Sequence, residues 1–216
     1  MDGRRRRILD PVERVSEVLF GLIMVLTFTG TLSVASLGRA DVREMLVGAI
    51  GCNLAWGIVD AVMYLLSSLA NRGRGLQLFK GVQAAHGFEQ ARELILSALP
   101  SVVASVISPA EIESLRARLA ALPAAPRQAW FTAEDFRGAM GVFLLVFFST
   151  FPVVVPFLIV ADPSLALRLS NTVAVSMLFL GGVSLGRFSG HPPVALGVGM
   201  AALGIVLVAI TIVLGG

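Results

Sequence analysis

Residues 46–70, which decide the fold, read LVGAIGCNLAWGIVDAVMYLLSSLA, and Asp60 is the single formal charge among them. As an α-helix this stretch is about 38 Å long at about 1.5 Å per residue, enough to cross a hydrocarbon core of about 30 Å. We therefore predict a membrane span. A carboxylate inside a span costs about 2.5–3.5 kcal/mol on insertion scales and persists where it faces protein, water or an ion. Asp60 is therefore the first candidate functional residue.

Helical spacing indicates which side chains share a face with Asp60. Residues three, four and seven positions away include Asn53, Met63 and Tyr64. One interpretation is an ion path that Asp60 lines, with the oxygens of Asn53 and Tyr64 and the sulfur of Met63 nearby as ligands. The other is an interhelical hydrogen bond that fixes packing, as polar side chains in membrane bundles often make.

The composition places the whole chain in a bilayer. It has 216 residues, 56% of them hydrophobic and 14% charged, and a mean hydropathy of +0.85. The net charge of +3 would favour nucleic acid in a soluble protein, but here the basic residues flank apolar stretches, so we expect no nucleic-acid partner. Cys52 is the one cysteine, which excludes an intramolecular disulfide and a cysteine metal cluster.

Apolar stretches of membrane length predict five spans in all. They are Val18–Leu37, Leu46–Ala70, Ala139–Val160, Leu169–Gly186 and Val194–Leu214. A basic start before the first stretch could also mark a signal peptide, but the stretch is long and we expect an uncleaved span. We predict an all-α integral membrane protein in three parts: residues 1–70 with spans one and two, a helical insert over 71–137, and residues 138–216 with spans three to five.

The distribution of basic residues predicts the topology. Fourteen of the 17 arginines and lysines lie in the N-terminal segment, the insert or the loop between spans four and five. The positive-inside rule then places the N-terminus and the insert in the cytoplasm and the C-terminus outside. We expect a multi-pass protein of the bacterial inner membrane, with the lipid bilayer as its first partner.

The first span carries a second, moderately polar face. Glu17, Gly21, Met24, Thr27 and Thr31 recur at steps of three and four residues. This face could oppose Asp60 and add Glu17 and Met24 to a transport path. Plain helix packing explains its small residues and threonines equally well, and Glu17 lies near the membrane boundary, where a solvated carboxylate is ordinary.

The insert holds a candidate metal site. We predict one helix over Leu76–Leu99, on which His86, Glu89 and Glu93 fall on one face. Imidazole and carboxylates at this spacing can bind a divalent cation, although a charged solvated face is the more common explanation.

The rest of the insert sequence predicts two helix starts. Ser108-Pro109-Ala110-Glu111 has a serine N-cap, a proline at the first helical position and a glutamate at the third. An apolar stripe follows it, formed by Ile112, Leu115, Leu119 and Leu122, which must be buried on the insert, on a partner or at the membrane surface. Thr132-Ala133-Glu134-Asp135 predicts the cap of the helix that leads into the third span.

Prolines and glycines mark the last three spans. Pro152 and Pro156 predict kinks in the third span, with the freed carbonyls covered by Ser149 or Thr150 or offered to cations. Gly182, Gly186 and Gly190 recur every four residues and indicate close helix contact.

The order of elements resembles the vacuolar iron transporter family. The local likeness is best in LFLGGVSLGRFSGHPP, in MAALGIVLVAITIVLGG and in PVVVPF at Pro152–Phe157. The resemblance implies a homodimer whose first spans enclose a path that exchanges Fe2+ or Mn2+ from the cytosol for protons. It also implies that glutamates of the insert collect the metal, and it carries over only general roles for Pro156 and for these glutamates. Asp60 and Met24 are assigned to the transport path from their positions in this sequence and not from the resemblance.

We therefore expect a proton-coupled transporter that exports a divalent metal cation from the cytosol. Fe2+ or Mn2+ would be its cargo, and we expect no tightly bound cofactor. The alternative is a non-transporting membrane scaffold whose amphipathic insert recruits a partner. An enzyme is the weakest hypothesis, because the two histidines form no recognisable catalytic grouping and there is no phosphate loop.

Overall fold

A computed structural model describes residues 11–30, 39–123 and 128–213, and every regular element in these ranges is an α-helix. The helices in chain order are α1 (Pro11–Gly30), α2 (Arg39–Ala84), α3 (Phe88–Ala98), α4 (Ser101–Val106), α5 (Pro109–Ala120), α6 (Ala133–Ser149), α7 (Phe151–Ile159), α8 (Pro163–Ser189) and α9 (Pro193–Val213). The prediction of an all-helical chain is confirmed.

Four stretches of the described chain are long and apolar enough to cross a membrane. They are Val42–Ala84, Ala133–Ile159, Pro163–Ser189 and Pro193–Ile210, so the chain is a multi-pass membrane protein. The first predicted span, Val18–Leu37, runs past the end of α1 into residues 31–38, which lie outside the described residues, as do Arg4–Arg7. The first span, and with it the count of five spans, therefore stays a prediction.

The chain divides into two compact units. The main unit consists of Met1–Tyr64 and Ala133–Gly216, and the insert unit is Leu65–Thr132. The predicted insert, residues 71–137, differs from the second unit by a few residues at each end. Helix α2 contributes its residues up to Tyr64 to the main unit and its later residues to the insert unit.

Helix α1 lies at the centre of the main unit. It packs on α6, α7, α8 and α9, and Leu22 and Leu26 are fully buried. The outer face of α2 is exposed by contrast, with Leu54 43% and Ile58 53% accessible. The core therefore forms around the first predicted span and not around the second, and α2 lies against it.

The third span is two helices. Helix α6 ends at Ser149 and α7 begins at Phe151, with Pro152 in its first turn. The Ser149 hydroxyl donates to the carbonyl of Val146 over 2.7 Å, and the Thr150 hydroxyl donates to that of Phe147 over 2.9 Å. The predicted interruption is confirmed just before Pro152, whereas α7 continues through Pro156. The two hydroxyls cover carbonyls of the last turn of α6, and these are not the carbonyls that the prolines free.

Helices α8 and α9 approach each other closely, as the glycine spacing predicted. A Cβ at Gly182 would lie 2.7 Å from the carbonyl oxygen of Leu196, so this contact excludes a side chain. Gly190 has a different role. It has a φ of 73° and ends α8 in the left-handed conformation, with no atom within 4 Å of a would-be Cβ.

In the insert unit the structure confirms one predicted helix start and shows that one predicted helix is wrong. Ser108 and Glu111 form the predicted capping box at the start of α5. The single helix predicted over Leu76–Leu99 is wrong, because α2 ends at Ala84 and α3 begins at Phe88. In the connection the backbone N–H of His86 donates to Oε1 of Gln90 over 3.1 Å, which satisfies an amide that a continuous helix would have used.

The insert packs around a small apolar core. Val82, Ala91, Ile95 and Ile112 are its buried members, and Leu119 packs against them. Leu115 and Leu122 of the predicted stripe are 38% and 52% exposed. Half of the stripe is therefore buried within the insert itself.

Candidate functional site

The candidate site lies along the inward face of α2 in the main unit. We call this face the seam, and its residues are Ala49, Asn53, Gly57, Asp60 and Tyr64, which recur at steps of three and four. Asn53 contacts Thr150, a Cβ on Gly57 would lie 3.0 Å from the ring of Phe143, and the ring of Tyr64 packs on Gly138. Along these contacts the residue numbers of the third span decrease as those of α2 increase, so α2 and the third span are antiparallel.

Asn53 joins three segments at one end of the seam. Its side chain is fully buried, and its amide nitrogen donates to the hydroxyl of Thr150 and, over 3.4 Å, to the carbonyl oxygen of Gly21. Because a carbonyl can only accept, the nitrogen must face Gly21. The amide oxygen of Asn53 therefore points elsewhere, and it is buried without a hydrogen-bond partner among the described residues.

Gly21 allows α1 to approach this joint. A Cβ at this position would collide with the hydroxyl of Ser149 and lie 2.9 Å from the carbonyl oxygen of Val146. The Gly21→Ala variant must therefore separate α1 from α6, and overpacking of this kind costs about 1–3 kcal/mol. We expect a Tm in detergent lowered by about 2–4 °C for each kcal/mol.

The matched control for that variant is Gly51→Ala. Gly51 is exposed on α2, and no atom lies within 4 Å of a would-be Cβ. Since alanine is the better helix former by about 0.5–1 kcal/mol, we expect an unchanged or higher Tm. Equal melting of the two variants would show that the α1–α6 approach is not tight.

Asp60 lies between Gly57 and Tyr64 on the seam. By the antiparallel register it is level with residues 139–142 of α6, where Ala139 and Val142 are buried. One carboxylate oxygen, Oδ2, is shielded from solvent and has no hydrogen-bond partner among the described residues. The second interpretation of Asp60, a hydrogen bond that fixes helix packing, therefore finds no partner for this oxygen.

Glu17 of α1 lies within electrostatic reach of Asp60. Partial burial, together with repulsion from the carboxylates of Asp60 and Glu13, raises the pKa of Glu17 from 4.5 to about 7. Glu17 precedes the first predicted span, so Asp60 lies level with the start of that span and not at its middle. The two carboxylates thus form a pair at one end of the apolar part of α1.

The two methionines of the predicted path are less well placed. Met63 is 55% exposed, because it lies on the flank of α2 and not on the seam. Met24 is half-buried and lies seven residues from Glu17, which is about 10 Å along α1. The structure therefore brings together Asp60, Glu17, Asn53 and Tyr64, and every side-chain ligand atom that these four offer is an oxygen.

The predicted ligands in the insert do not form a cluster. His86 lies in the connection between α2 and α3, where its Nδ1 is 2.8 Å from the carbonyl oxygen of Ala84. Glu89 forms an ion pair with Arg92 at 3.2 Å, and Glu93 is exposed on α3. No group of three or more histidine, cysteine, aspartate or glutamate side chains suited to a metal ion is found in the described parts of the chain.

Other acids of the insert have structural roles. Hydrogen bonds from the backbone N–H and hydroxyl of Ser108 lower the pKa of Glu111. A hydrogen bond from Arg116, with its charge, lowers the pKa of Glu113. Ser108 and Arg116 thus stabilise these two carboxylates in their charged form.

Sequence reasoning missed two residues of this region. The sequence predicts Thr150 only as a cover for a freed carbonyl, whereas it is also the partner of Asn53. The sequence predicts Asp135 as part of a helix cap, whereas its side chain is only 5% exposed. Its position four residues before Ala139, which is also buried, was a signal in the sequence that it faces inward.

A cavity of about 510 Å³ opens near the N-terminal end of α2. Val42, Arg43 and Leu46 line it together with the connection between α7 and α8. Asp60 is about 27 Å away along the helix axis, at about 1.5 Å per residue from Val42. No acid is among the described residues that line this cavity, and its distance from Asp60 separates it from the carboxylate pair.

Comparison of the chain with models of protein families gives no match, and comparison with curated proteins gives none.

Proposed function

We propose that the protein is a membrane transporter that carries a divalent cation, Fe2+ or Mn2+, along the seam in exchange for protons and exports it from the cytosol. The observation that carries this proposal is a pair of buried oxygens, Oδ1 of Asn53 and Oδ2 of Asp60, that lack a donor among the described residues. Both lie on one face of an apolar helix, seven residues apart, which is about 10 Å.

The chemistry of the missing partner follows from the two atoms. An amide oxygen and a carboxylate oxygen only accept hydrogen bonds, so the partner must be a donor or a cation. Leaving such an atom buried and unpaired costs about 1–3 kcal/mol. A passing cation, or the water and protons that replace it, removes that cost.

The charge of the pair suits a divalent ion. Glu17 and Asp60 repel each other when both are ionised, and a cation with two charges or a pair of protons relieves this repulsion equally. A carboxylate that exchanges a proton for a cation is the least that proton coupling requires. Carboxylate, amide and phenol oxygens favour hard ions such as Mn2+ over ions that prefer sulfur.

The resemblance to the vacuolar iron transporter family supports the choice of cargo. It also supports a homodimer in which the N-terminus and the insert face the cytoplasm and the C-terminus lies outside. The exposed outer face of α2, with Leu54 and Ile58, is then free to contact lipid or the second subunit.

The test is uptake of metal by liposomes that contain the purified full-length protein and a metal-sensitive fluorophore. We expect Mn2+ or Fe2+ to enter faster than into empty liposomes, and an opposing proton gradient to accelerate entry. A tenfold excess of Mg2+ outside serves as a competitor for an oxygen site of low selectivity. Equal rates in protein-containing and empty liposomes for both metals would refute the proposal.

A scaffold is the second candidate, and one observation favours it. Val102 and Val106 of α4 are 75% and 77% exposed, and they add to the exposed Leu115 and Leu122 of α5. If this surface recruits a partner protein, the double variant Leu115→Ser, Leu122→Ser loses the partner in co-purification and keeps metal uptake unchanged. The same pair of substitutions leaves the buried Ile112 in place, so the insert should still fold.

A further inference from the structure

The cavity near the N-terminal end of α2 lies where three helices of the main unit begin or end. Arg43 lies near the start of α2, Ile159 is the last residue of α7, and Pro163 is the first residue of α8. The apolar stretches of membrane length begin or end at the same places, because they begin at Val42, end at Ile159 and begin again at Pro163. In a bilayer the cavity therefore lies at the level where hydrocarbon gives way to lipid headgroups.

The cavity has a packed apolar floor and an open apolar rim. Phe157 and Ala166 are buried at its floor, and the apolar side chains that pack against them are Val42, Leu46, Val160 and Leu167. Leu158 and Ile159 at the rim are largely exposed. A volume of about 510 Å³ is within the range of about 300–1,000 Å³ that is typical of pockets for small molecules.

Arg43 is the one charged residue among the described residues that line the cavity. It lies one turn before Leu46 on α2, and its side chain has no ion pair or hydrogen bond with any residue that the structure describes. Asp162, in the connection between α7 and α8, accepts hydrogen bonds from the backbone N–H groups of Ser164 and Leu165 at 3.2 Å. This acid thus caps α8, and Arg43 gives the cavity an unpaired positive charge.

An unpaired cation beside apolar walls selects a ligand with an anionic head and an apolar tail. A guanidinium binds phosphate oxygens through paired, charge-assisted hydrogen bonds, and basic pockets between membrane helices bind the headgroups of acidic lipids. A metal cation would be repelled by Arg43. A soluble anion would leave the apolar walls uncovered, and an apolar helix of a partner would leave Arg43 without a counter-charge.

We propose that this cavity is a binding site for an anionic phospholipid, with the lipid phosphate on Arg43. The glycerol and the first part of an acyl chain occupy the cavity, and the rest of the chain extends along the exposed rim of Leu158 and Ile159. The binding of a lipid there does not depend on the transport function proposed above.

The experiment measures lipid binding by the full-length protein, purified in detergent and stripped of lipid. The probe is dioleoyl phosphatidylglycerol, the comparison lipid is the zwitterionic dioleoyl phosphatidylcholine, and the readouts are retained lipid in native mass spectrometry and Tm. We expect phosphatidylglycerol to be retained in preference and to raise the Tm. In Arg43→Gln its apparent affinity should fall about tenfold, as for the loss of one charge-assisted contact.

Arg168→Gln is the matched control. Arg168 is an exposed arginine in the second turn of α8 and is not among the described residues that line the cavity, so the affinity for phosphatidylglycerol should stay within about twofold of the parent value. Parental affinity in Arg43→Gln would overturn the proposal. An equal loss in both variants would also overturn it, because it would indicate diffuse attraction of acidic lipid to any basic residue.

Two further arms separate a lipid from other occupants. Ala161→Phe places a ring at the cavity and keeps Arg43, so it should abolish retention of phosphatidylglycerol. If that variant does not fold, the comparison of the two arginine variants still decides, since both arginines are exposed. An equal rise in Tm with sn-glycerol 3-phosphate, which has no acyl chains, would make this a site for soluble anions. A lipid-free dimer that dissociates in Ala161→Phe would assign the cavity to a second copy of the chain, and either result would overturn the proposal.

Discussion

The Asp60→Asn variant is expected to show no Mn2+ uptake above that of empty liposomes. Asparagine has almost the same shape as aspartate, so the seam keeps its packing while it loses the charge that holds the cation. The variant therefore separates the charge of Asp60 from its volume.

The same variant should be more stable than the parent protein. The neutral amide removes the repulsion between residue 60 and the Glu17 carboxylate and the cost of shielding a charge from water, so we expect a higher Tm in detergent. A residue retained for packing would give the opposite sign, because its loss would break an existing hydrogen bond. Gain of stability with loss of function is typical of a functional site.

Glu44→Gln is the matched control for Asp60→Asn. Glu44 is an exposed acid on the same helix, about 24 Å from Asp60 along the axis. We expect parental uptake and parental Tm in this variant. If Asp60→Asn also transports at the parental rate, Asp60 is not part of the path and the seam loses its central ligand.

The sequence was sufficient to predict most of the helices, for physical reasons. Long apolar stretches can satisfy their backbone in a bilayer only as helices, and Ser108 and Glu111 specify a helix start through local hydrogen bonds. The period of 3.6 residues also placed Asn53 and Tyr64 on the face of Asp60. These features depend on residues close together in the chain.

The arrangement of the helices could not be predicted in the same way. In lipid, a residue that faces the core and one that faces the bilayer are equally apolar, so hydropathy did not reveal that Leu22 is fully buried while Ile58 is exposed. The break at His86 was missed because the side chain of Gln90 replaces a helical hydrogen bond there. Periodicity alone does not show such a substitution.

The proximity of Glu17 and Asp60 depends on the register between two helices. Counting from the predicted turn between Leu37 and Leu46 sets Asp60 level with about residue 23, six residues from Glu17, so the sequence alone does not pair the two carboxylates. The structure shows their charges interacting. This pair carries the most direct consequence for pH.

Mn2+ is expected to bind more tightly as the pH rises towards 7, and Glu17 is the reason. Below its pKa of about 7 this carboxyl holds a proton that the cation must displace, so the apparent affinity should rise up to about tenfold per pH unit and level off above pH 7. Calorimetry in detergent between about pH 5.5 and 8.5, in two buffers of different ionisation enthalpy, measures both the affinity and the proton released.

Two variants decide whether Glu17 carries this pH dependence. In Glu17→Gln the slope below pH 7 should flatten, because no proton is displaced at that position. In Glu13→Gln, one turn earlier, the slope should persist and its midpoint should move to lower pH, because the Glu13 carboxylate is one cause of the raised pKa of Glu17.

The folded chain holds the Glu17 proton more tightly than the unfolded chain, so metal-free stability should fall as the pH rises from 4.5 to about 7. Added Mn2+ should restore that stability in Glu13→Gln, and an unaltered slope in Glu17→Gln would mean that another group releases the proton.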